Sequence, residues 1–525
     1  MNKIKYILVS LATLFLCNSC DELDLGPIDW YGSVNFWNNE AQVDGYMTGL
    51  HKNVRDRYDM FFRLGETRGG IHRSGTSSMN TSIDLSSPEK TNQFAYNRTG
   101  ISGWFNLYGN IMQVNHFIQK VEEECSFLST ESRSYYLGQA YGLRALYYSM
   151  LNKTFGGVPI IKTVSVLDGQ VSAESLYTAR STVEETLNFV KEDLKKSEDY
   201  FGSNLTHDPN KWSKYATSML KADVYLWSAK VTIGDHTANA ADAQIAKDAL
   251  TPIVGKFALQ KDYGSIFSTK RNGEIVYAIR FADQEATNFG ANFVYSEVSF
   301  VNQVYDRNNN LFTTDVLNLK ATGLLRHEYK FGLFKSYDDT DLRRDATFLD
   351  YTVQDASGNI LDYGLSLKKL TGSINSNNNR IYDTDIIVYR YSDVLLMLAE
   401  AENKLGNYAG VKTYMDEVRQ RAYGDNFDSS VAFTPGTFGE NELAILHERD
   451  KEFVSEGKRW FDVVRFQDES GKSLVFSSKA NYKHLDSDFD QPVLPETDAY
   501  MILWPIDVST LNNDPLLKQT PGYEE

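Results

Sequence analysis

Cysteine is scarce in this chain: three residues in 525, Cys17, Cys20 and Cys125. Cys17 and Cys20 have C-x-x-C spacing, yet a zinc site needs a second ligand pair, and Cys125 has no C-x-x-C or H-x-H near it. A thioredoxin-like redox pair needs a preceding strand in a βαβ setting. What precedes is Lys3, Lys5 and an apolar run from Ile7 to Leu16. That is a positive segment followed by roughly ten apolar residues, too short to cross a bilayer core of about 30 Å as a helix. No later stretch supplies some 18 consecutive apolar residues. Positive charge is also in deficit, with 53 Lys and Arg against 70 Asp and Glu, a net −17. Such a chain is poorly suited to nucleic acid or to anionic membrane surfaces. Catalytic signatures are missing as well: there is no G-x-S-x-G, no H-E-x-x-H and no Walker loop, and the eight histidines are scattered.

The N-terminal pattern has a positive reading. Ser19, a small residue, stands directly before Cys20, and the segment resembles a bacterial lipobox, in which that cysteine becomes the first mature residue and carries lipid. Cys17 occupies the place where such boxes prefer leucine. An ordinary signal peptide is the other reading of the same residues. Cleavage before Cys20 removes two lysines and no acid, so the charge moves from −17 to −19. Cys125 is then the only unmodified thiol, so the fold must stand on its core without an intramolecular disulfide. Lipid would be the sole membrane anchor, and firm only if multiply acylated. Asp21, Glu22 and Asp24 fit either a sorting tract for the outer face or a solvated tether.

Aromatic residues are plentiful, 32 Tyr, 29 Phe and 7 Trp, which suits a sugar-binding surface, although aromatics more often serve as core. Helical periodicity is clear in several places. Trp104, Leu107, Tyr108, Ile111, Val114 and Ile118 form one stripe, and Ala140, Leu143, Tyr147, Met150 and Leu151 another, stopped by Gly156, Gly157 and Pro159. These predict a helical hairpin. Further pairs are predicted at 182–200 with 212–231, at 390–405 with 408–422, and over 440–466, where Gly457 divides two helices. Four pairs with small residues at crossing positions (Ala145, Ala222, Ala399, Ala401) predict a mainly α, tetratricopeptide-like scaffold. Strict repeat spacing is absent, which argues against a continuous solenoid.

Between about 264 and 388 the pattern changes to strands and turns. "GEIVYAIRF" (273–281) and "IIVYR" (386–390) are buried-type strands, and "DRNNN" and "SINSNNNR" between them are turn-forming. Residues 64–100 form a second loop-rich stretch. Long irregular segments on a helical scaffold tend to carry function. The division expected is a signal peptide at 1–19 and one domain at 20–525, with helical pairs at about 40–263, an insertion at about 264–388 and helical pairs and a tail at about 389–525. "DSDFD" places Asp486, Asp488 and Asp490 at calcium-loop spacing, but Gln491 stands where glycine is needed and Thr497 where glutamate is. "YDDTDLRRD" (337–345) reads as a turn laced with Asp–Arg pairs. Neither predicts a metal.

Ordered motifs along nearly the whole chain resemble the SusD/RagB family of outer-membrane lipoproteins. They are "SCDELDLGP", "WFNLYGNIMQVNHFI", "GLRALYYSMLNKTFGGVPII", "DDTDLRRDATF", "YRYSDVLLMLAEAENKLG", "ERDKEFVSEGKRWFDVVRF" and "WPIDVSTLNNDPLLKQTPGY". Asp507 and Thr520 depart mildly from the family's usual proline and asparagine. Most of these matches read as structural; Arg459, Trp460 and Asp462 look like a packed helix junction.

The resemblance implies a non-enzymatic, cofactor-free protein that captures oligosaccharides or polysaccharides at the exterior of the outer membrane. It also implies a SusC-like TonB-dependent transporter as the partner that receives them. A sugar offers a C–H face and a rim of hydroxyls, so its site needs an exposed ring beside polar side chains. The regions that line the ligand face in the family contain Tyr96, Tyr295 and Tyr305, expected to stack on sugar, and Arg68, Asn80 and Asn292, expected to bind hydroxyls. A transporter-binding module without its own sugar site, a binder of another nutrient, and a hydrolase with unrecognised carboxylates stay open on the residues alone.

Overall fold

The computed structural model describes residues 36–74, 91–101, 103–164 and 172–524. Eleven of its helices form the scaffold: α1 Glu40–Arg55, α2 Tyr58–Gly65, α3 Leu107–Glu123, α4 Thr130–Phe155, α5 Val183–Phe201, α6 Lys214–Lys230, α7 Asp242–Leu250, α8 Tyr391–Lys404, α9 Tyr408–Tyr423, α10 Phe438–Glu452 and α11 Arg459–Arg465. Local chemistry sets their starts. Asn39, Ser129, Ser213 and Asn407 accept a backbone N–H as N-caps, while Thr182–Glu185 and Thr437–Glu440 close reciprocal capping boxes.

α4 is the hub. From Tyr136 to Phe155 every residue is buried, because α3 covers one side and α5 the other. The helices then follow in a chain of neighbours: α5 on α6, α6 on α7, α7 on α8, α8 on α9 and α10. This is the tetratricopeptide-like scaffold, but partners in the first half shift by one helix from the sequence expectation. α4 packs most extensively on α5 and α6 on α7, while α3 also lies against α1. The shift follows from α1 and α7, which the periodicity did not single out. α1 buries only Val43, Met47, Leu50 and Val54 on a narrow stripe, and α7 is nine residues long.

Because α8 resumes beside α7, the residues between them leave the scaffold and return. β2 (Ile275–Ile279) and β8 (Ile386–Arg390), both wholly buried, pair antiparallel at the base of this excursion. Above them β1 (His72–Ser74) pairs with β3 (His327–Tyr329), β4 (Phe348–Gln354) with β5 (Ile360–Leu367), and β6 (Ser373–Ile374) with β7 (Arg380–Ile381). The insertion has a core of its own in which Tyr295, Phe300, Val304, Leu325 and Tyr351 pack together.

The junction of α10 and α11 is held by charge. Glu452 accepts from Arg343 at 2.9 Å, from Arg390 at 2.5 Å and from Arg421. Nη1 of Arg459 donates to both carboxylate oxygens of Asp450, at 2.9 and 3.0 Å. Asp462 receives Arg449 at 2.8 Å and Arg465 at 2.9 Å, the satisfied junction expected of the Arg459–Trp460–Asp462 stretch. Gly457 separates the two helices at φ +71°, and a Cβ there would stand 2.4 Å from the Phe61 carbonyl oxygen, so α2 seats directly on this turn.

Candidate functional site

The structure distributes the sequence-predicted residues unevenly. Cys20 and Asn80 lie outside the described residues. Arg68 is fully buried: it donates to Asn92 at 2.8 Å and to the carbonyls of Met501 and Ile502, and its guanidinium lies 3.7 Å from the Trp460 ring centre. It clamps the C-terminal segment and presents nothing to solvent, which corrects its expected role as a hydroxyl binder. Tyr295 is corrected on the same ground. It is 1% exposed, stacks on Phe300 at 3.8 Å, donates to Asp315 and accepts the Leu317 N–H at 2.9 Å. Burial and the neighbouring Asp315 push its phenol pKa far up. Asn292, Tyr96 and Tyr305 are half-buried. Asn292 sits in the short turn Gly290–Phe293, Tyr96 in the turn closed by Ala95 and Arg98, and Tyr305 pairs its backbone with Thr352 of β4 at 3.0 and 2.8 Å.

Beside β5 lies a groove of about 320 Å³, within the usual size range of ligand sites. Its wall is the segment 478–491. Asn481 donates to the Gln491 carbonyl at 3.0 Å, and Asn92, next to the Tyr96 turn, donates to Val493 at 3.1 Å. His484 ties this segment to β5. The Phe331 N–H donates to Nδ1 at 3.1 Å, and Nε2 lies 2.7 Å from the Asp362 carboxylate and against the Arg73 guanidinium. Arg73 of β1 meets the same carboxylate at 2.7 and 3.0 Å. Burial would raise the Asp362 pKa, but the bonds from His484 and Arg73 outweigh it and hold it well below the carboxylate range. Behind it, burial lifts Glu328 to about 7 despite Arg73 at 3.6 Å. On the groove lining, burial, with Arg459 near by, lowers Lys330 to about 8.

Phe489 lines this groove and is 90% exposed. Lys483, Asp488 and Asp490 line it with the ring, and Phe331 stacks on Tyr363 at 4.3 Å beside His484. The "DSDFD" carboxylates are engaged within the protein: Asp486 with Lys335, Asp488 with the N–H groups of His484 and Leu485, and Asp490 with Lys483 at 3.1 Å. The calcium-loop spacing of this stretch points to its acids, whereas the groove presents its aromatic. The available signal was a phenylalanine flanked by Asp488 and Asp490 in a segment lacking apolar periodicity.

Comparison with known proteins bears on the same architecture. A family model described as "SusD family" matches residues 291–523, and one described as "Starch-binding associating with outer membrane" matches 27–226. SusD-like protein P38 of Formosa agariphila is 24% identical over the full length of both chains. B. fragilis NanU has a solved structure 30% identical to this chain, covering 95% of it and 100% of NanU, with a TM-score of 0.78. No helix among the described residues is long and apolar enough to cross a membrane. A SusD superfamily protein of Bacteroides fragilis is 38% identical over 93% of this chain and 100% of its own, superposing with a TM-score of 0.85, and on that likeness the chain belongs to the SusD superfamily.

Proposed function

We propose that this protein is a non-catalytic glycan-binding component of the outer membrane, anchored through lipid on Cys20, that captures oligosaccharides and hands them to a TonB-dependent transporter. The observation that carries the binding reading is Phe489, a ring held almost wholly in solvent beside a groove with charged and amide side chains on its rim. An exposed aromatic costs hydrophobic free energy unless a partner covers it, and the C–H face of a sugar is such a partner. Asp488, Asp490, Lys483 and Gln491 supply acceptors and donors for hydroxyls around that face. The half-buried Tyr96, Tyr305 and Asn292 do not line this groove and are carried as further candidates for sugar contact. The family description, with its starch binding and outer-membrane association, supports the same reading.

Titration calorimetry against a panel of neutral and acidic oligosaccharides tests it. Phe489→Ala should weaken the best ligand about tenfold, equivalent to about 1.4 kcal/mol, and leave the unfolding midpoint unchanged, because the ring has no core contacts to lose. Absence of binding across the panel would leave a transporter-binding module as the reading, and equal affinity in the variant would remove Phe489 from the site. Delivery is tested by co-purification of the lipidated protein with a transporter encoded beside it, and mass spectrometry of the mature N-terminus tests lipid on Cys20.

A further inference from the structure

A second cavity, of about 240 Å³, lies between α1 and β2, elements that contribute nothing to the Phe489 groove. Its lining runs against the charge of the whole protein. Five cationic side chains, Lys52, Arg55, Lys211, Arg271 and Arg280, face it with two acids, Asp208 and Glu285, in a chain of net charge −17. The two acids do not by themselves neutralise the five, although Lys52 is also paired with Asp56, outside the lining, at 2.5 Å. Glu285 is shared by Arg55 and, at 3.1 Å, by Arg280, while Asp208 is taken by Arg271 at 2.9 Å. Lys211 reaches only Asp44, at 3.6 Å. Arg280 and Arg271 are about half exposed, with side chains 53% and 50% accessible, so they can turn toward a ligand without unfolding anything.

His51 adds an independent observation. Its Nε2 stands 3.0 Å from the Gln139 side-chain oxygen, an acceptor, so Nε2 carries the proton and Nδ1 offers a lone pair. That Nδ1 is buried and has no hydrogen-bond partner, in a residue that lines the cavity. Burial, reinforced by Lys211, lowers the imidazole pKa, so the ring is neutral at pH 7 and accepts rather than donates. A buried acceptor left unpaired is costly, on the order of 1–3 kcal/mol, and a ligand O–H would relieve it once a side-chain shift opens the atom, which is closed to solvent in this structure.

We propose that this cavity binds an anionic sugar unit, one ring bearing a carboxylate or sulfate, with Arg280, Arg55 and Lys211 holding the oxyanion and His51 Nδ1 accepting from a hydroxyl. The volume fits one ring, being below the roughly 300 Å³ at which pockets for larger ligands begin. Guanidinium groups match the planar geometry of a carboxylate and tolerate sulfate. The site stands apart from the groove and does not depend on it.

Calorimetry on the full mature protein with D-glucuronate, glucose 6-sulfate and D-glucose tests the assignment. At least one of the two acids should bind saturably and glucose should not, and the stronger acid identifies the oxyanion. The double variant Lys211→Gln/Arg280→Gln changes only partly exposed side chains and should weaken that binding at least tenfold, while Phe489→Ala leaves it unchanged. Failure of both acids to bind, equal binding of glucose, or undiminished affinity in the double variant each overturns the proposal. Loss of acid binding in Phe489→Ala alone would also overturn it, by locating the ligand in the groove.

Discussion

Gly142 sits in the middle of α4, where alanine would ordinarily be preferred by about 1 kcal/mol. A Cβ at that position would lie 1.9 Å from Nε1 of Trp212, the indole that donates to Thr217 at 2.9 Å just inside α6. The sign of the propensity argument therefore reverses: Gly142→Ala should destabilise by about 1–3 kcal/mol through overpacking. Urea unfolding checks this, and a variant as stable as the parent would show that Trp212 can move aside. The same scale explains why candidate ligand residues were hard to read. Tyr295 and Phe489 are both aromatics in irregular segments, Tyr295 beside Phe293 and Val294 and Phe489 between Asp488 and Asp490, and local spacing does not say which of them the fold will cover. Tyr295 is buried because the chain returns more than fifty residues later as β4, bringing Tyr351 into the cluster that holds Tyr295 and Phe300. No returning strand covers Phe489. Arg68 likewise pairs with Met501 and Ile502, more than four hundred residues away, a partnership that sequence spacing cannot reveal.

Among the elements, legibility followed the range of the forces. Most of the long helices were readable because their stripes and stops lie within one segment, as were β2 and β8, whose continuous apolar runs match burial on both faces. The hairpin tips are equally local. Asp306, Asp355, Asn375 and Asp468 each donate their N–H to the carbonyl four residues on, at 2.8–3.0 Å, and accept backbone N–H groups at positions two and four on the side-chain oxygen. The fourth residue of each loop has positive φ and is Asn309, Gly358, Asn378 or Gly471, the types that tolerate it. Helix pairing was less legible, since it depends on α1 and α7, whose own signals are weak. The link between elements that sequence could least supply is the buried charge around Glu452, which draws α10 to α9 through Arg421, to β8 through Arg390 and to the insertion through Arg343. Burial alone would raise the Glu452 pKa, but these arginines outweigh it and hold the carboxylate well below its ordinary range. Glu452→Gln keeps the shape and removes the charge, leaving three guanidinium groups under-compensated. A loss of about 3–5 kcal/mol is expected, read as a lowered urea midpoint, and a loss below about 1 kcal/mol would mean that Glu274, Glu448 and Glu456 suffice for those arginines.

For the molecule as a whole, the buried carboxylates fall into two sets that pull stability in opposite directions with pH. Glu448 and Glu400 are held down to about 2, because Arg343 and Arg419 in one case and Arg465 and Lys230 in the other outweigh the effect of burial. Their folded pKa lies below the unfolded value, so their contribution is present above the ordinary carboxylate range and is lost as pH falls from about 4.5 toward 2. Glu66 and Glu328 are raised to about 7, chiefly by burial. The folded chain then binds more protons than the unfolded one between about 4.5 and 7, and their contribution declines as pH rises through that window. The half-buried imidazoles of His51 and His447, with lowered pKa, work against that decline near neutrality, so the effect is best isolated by difference. Glu328→Gln preserves the acceptor oxygen that receives Tyr351 at 3.0 Å and the Leu365 N–H at 2.7 Å, and Arg73 keeps Asp362 as its partner. Between pH 5 and 8 the stability of the parent relative to this variant should fall by about 2–3 kcal/mol, at 1.36 kcal/mol per pKa unit. Urea unfolding of both proteins at matched ionic strength gives the difference directly. A difference constant across that range would mean that Glu328 is ionised throughout, with Arg73 at 3.6 Å compensating its burial in full; a falling one makes the carboxyl behind the groove neutral below pH 7 and ties the packing of β1, β3 and β5 beside that groove to its protonation.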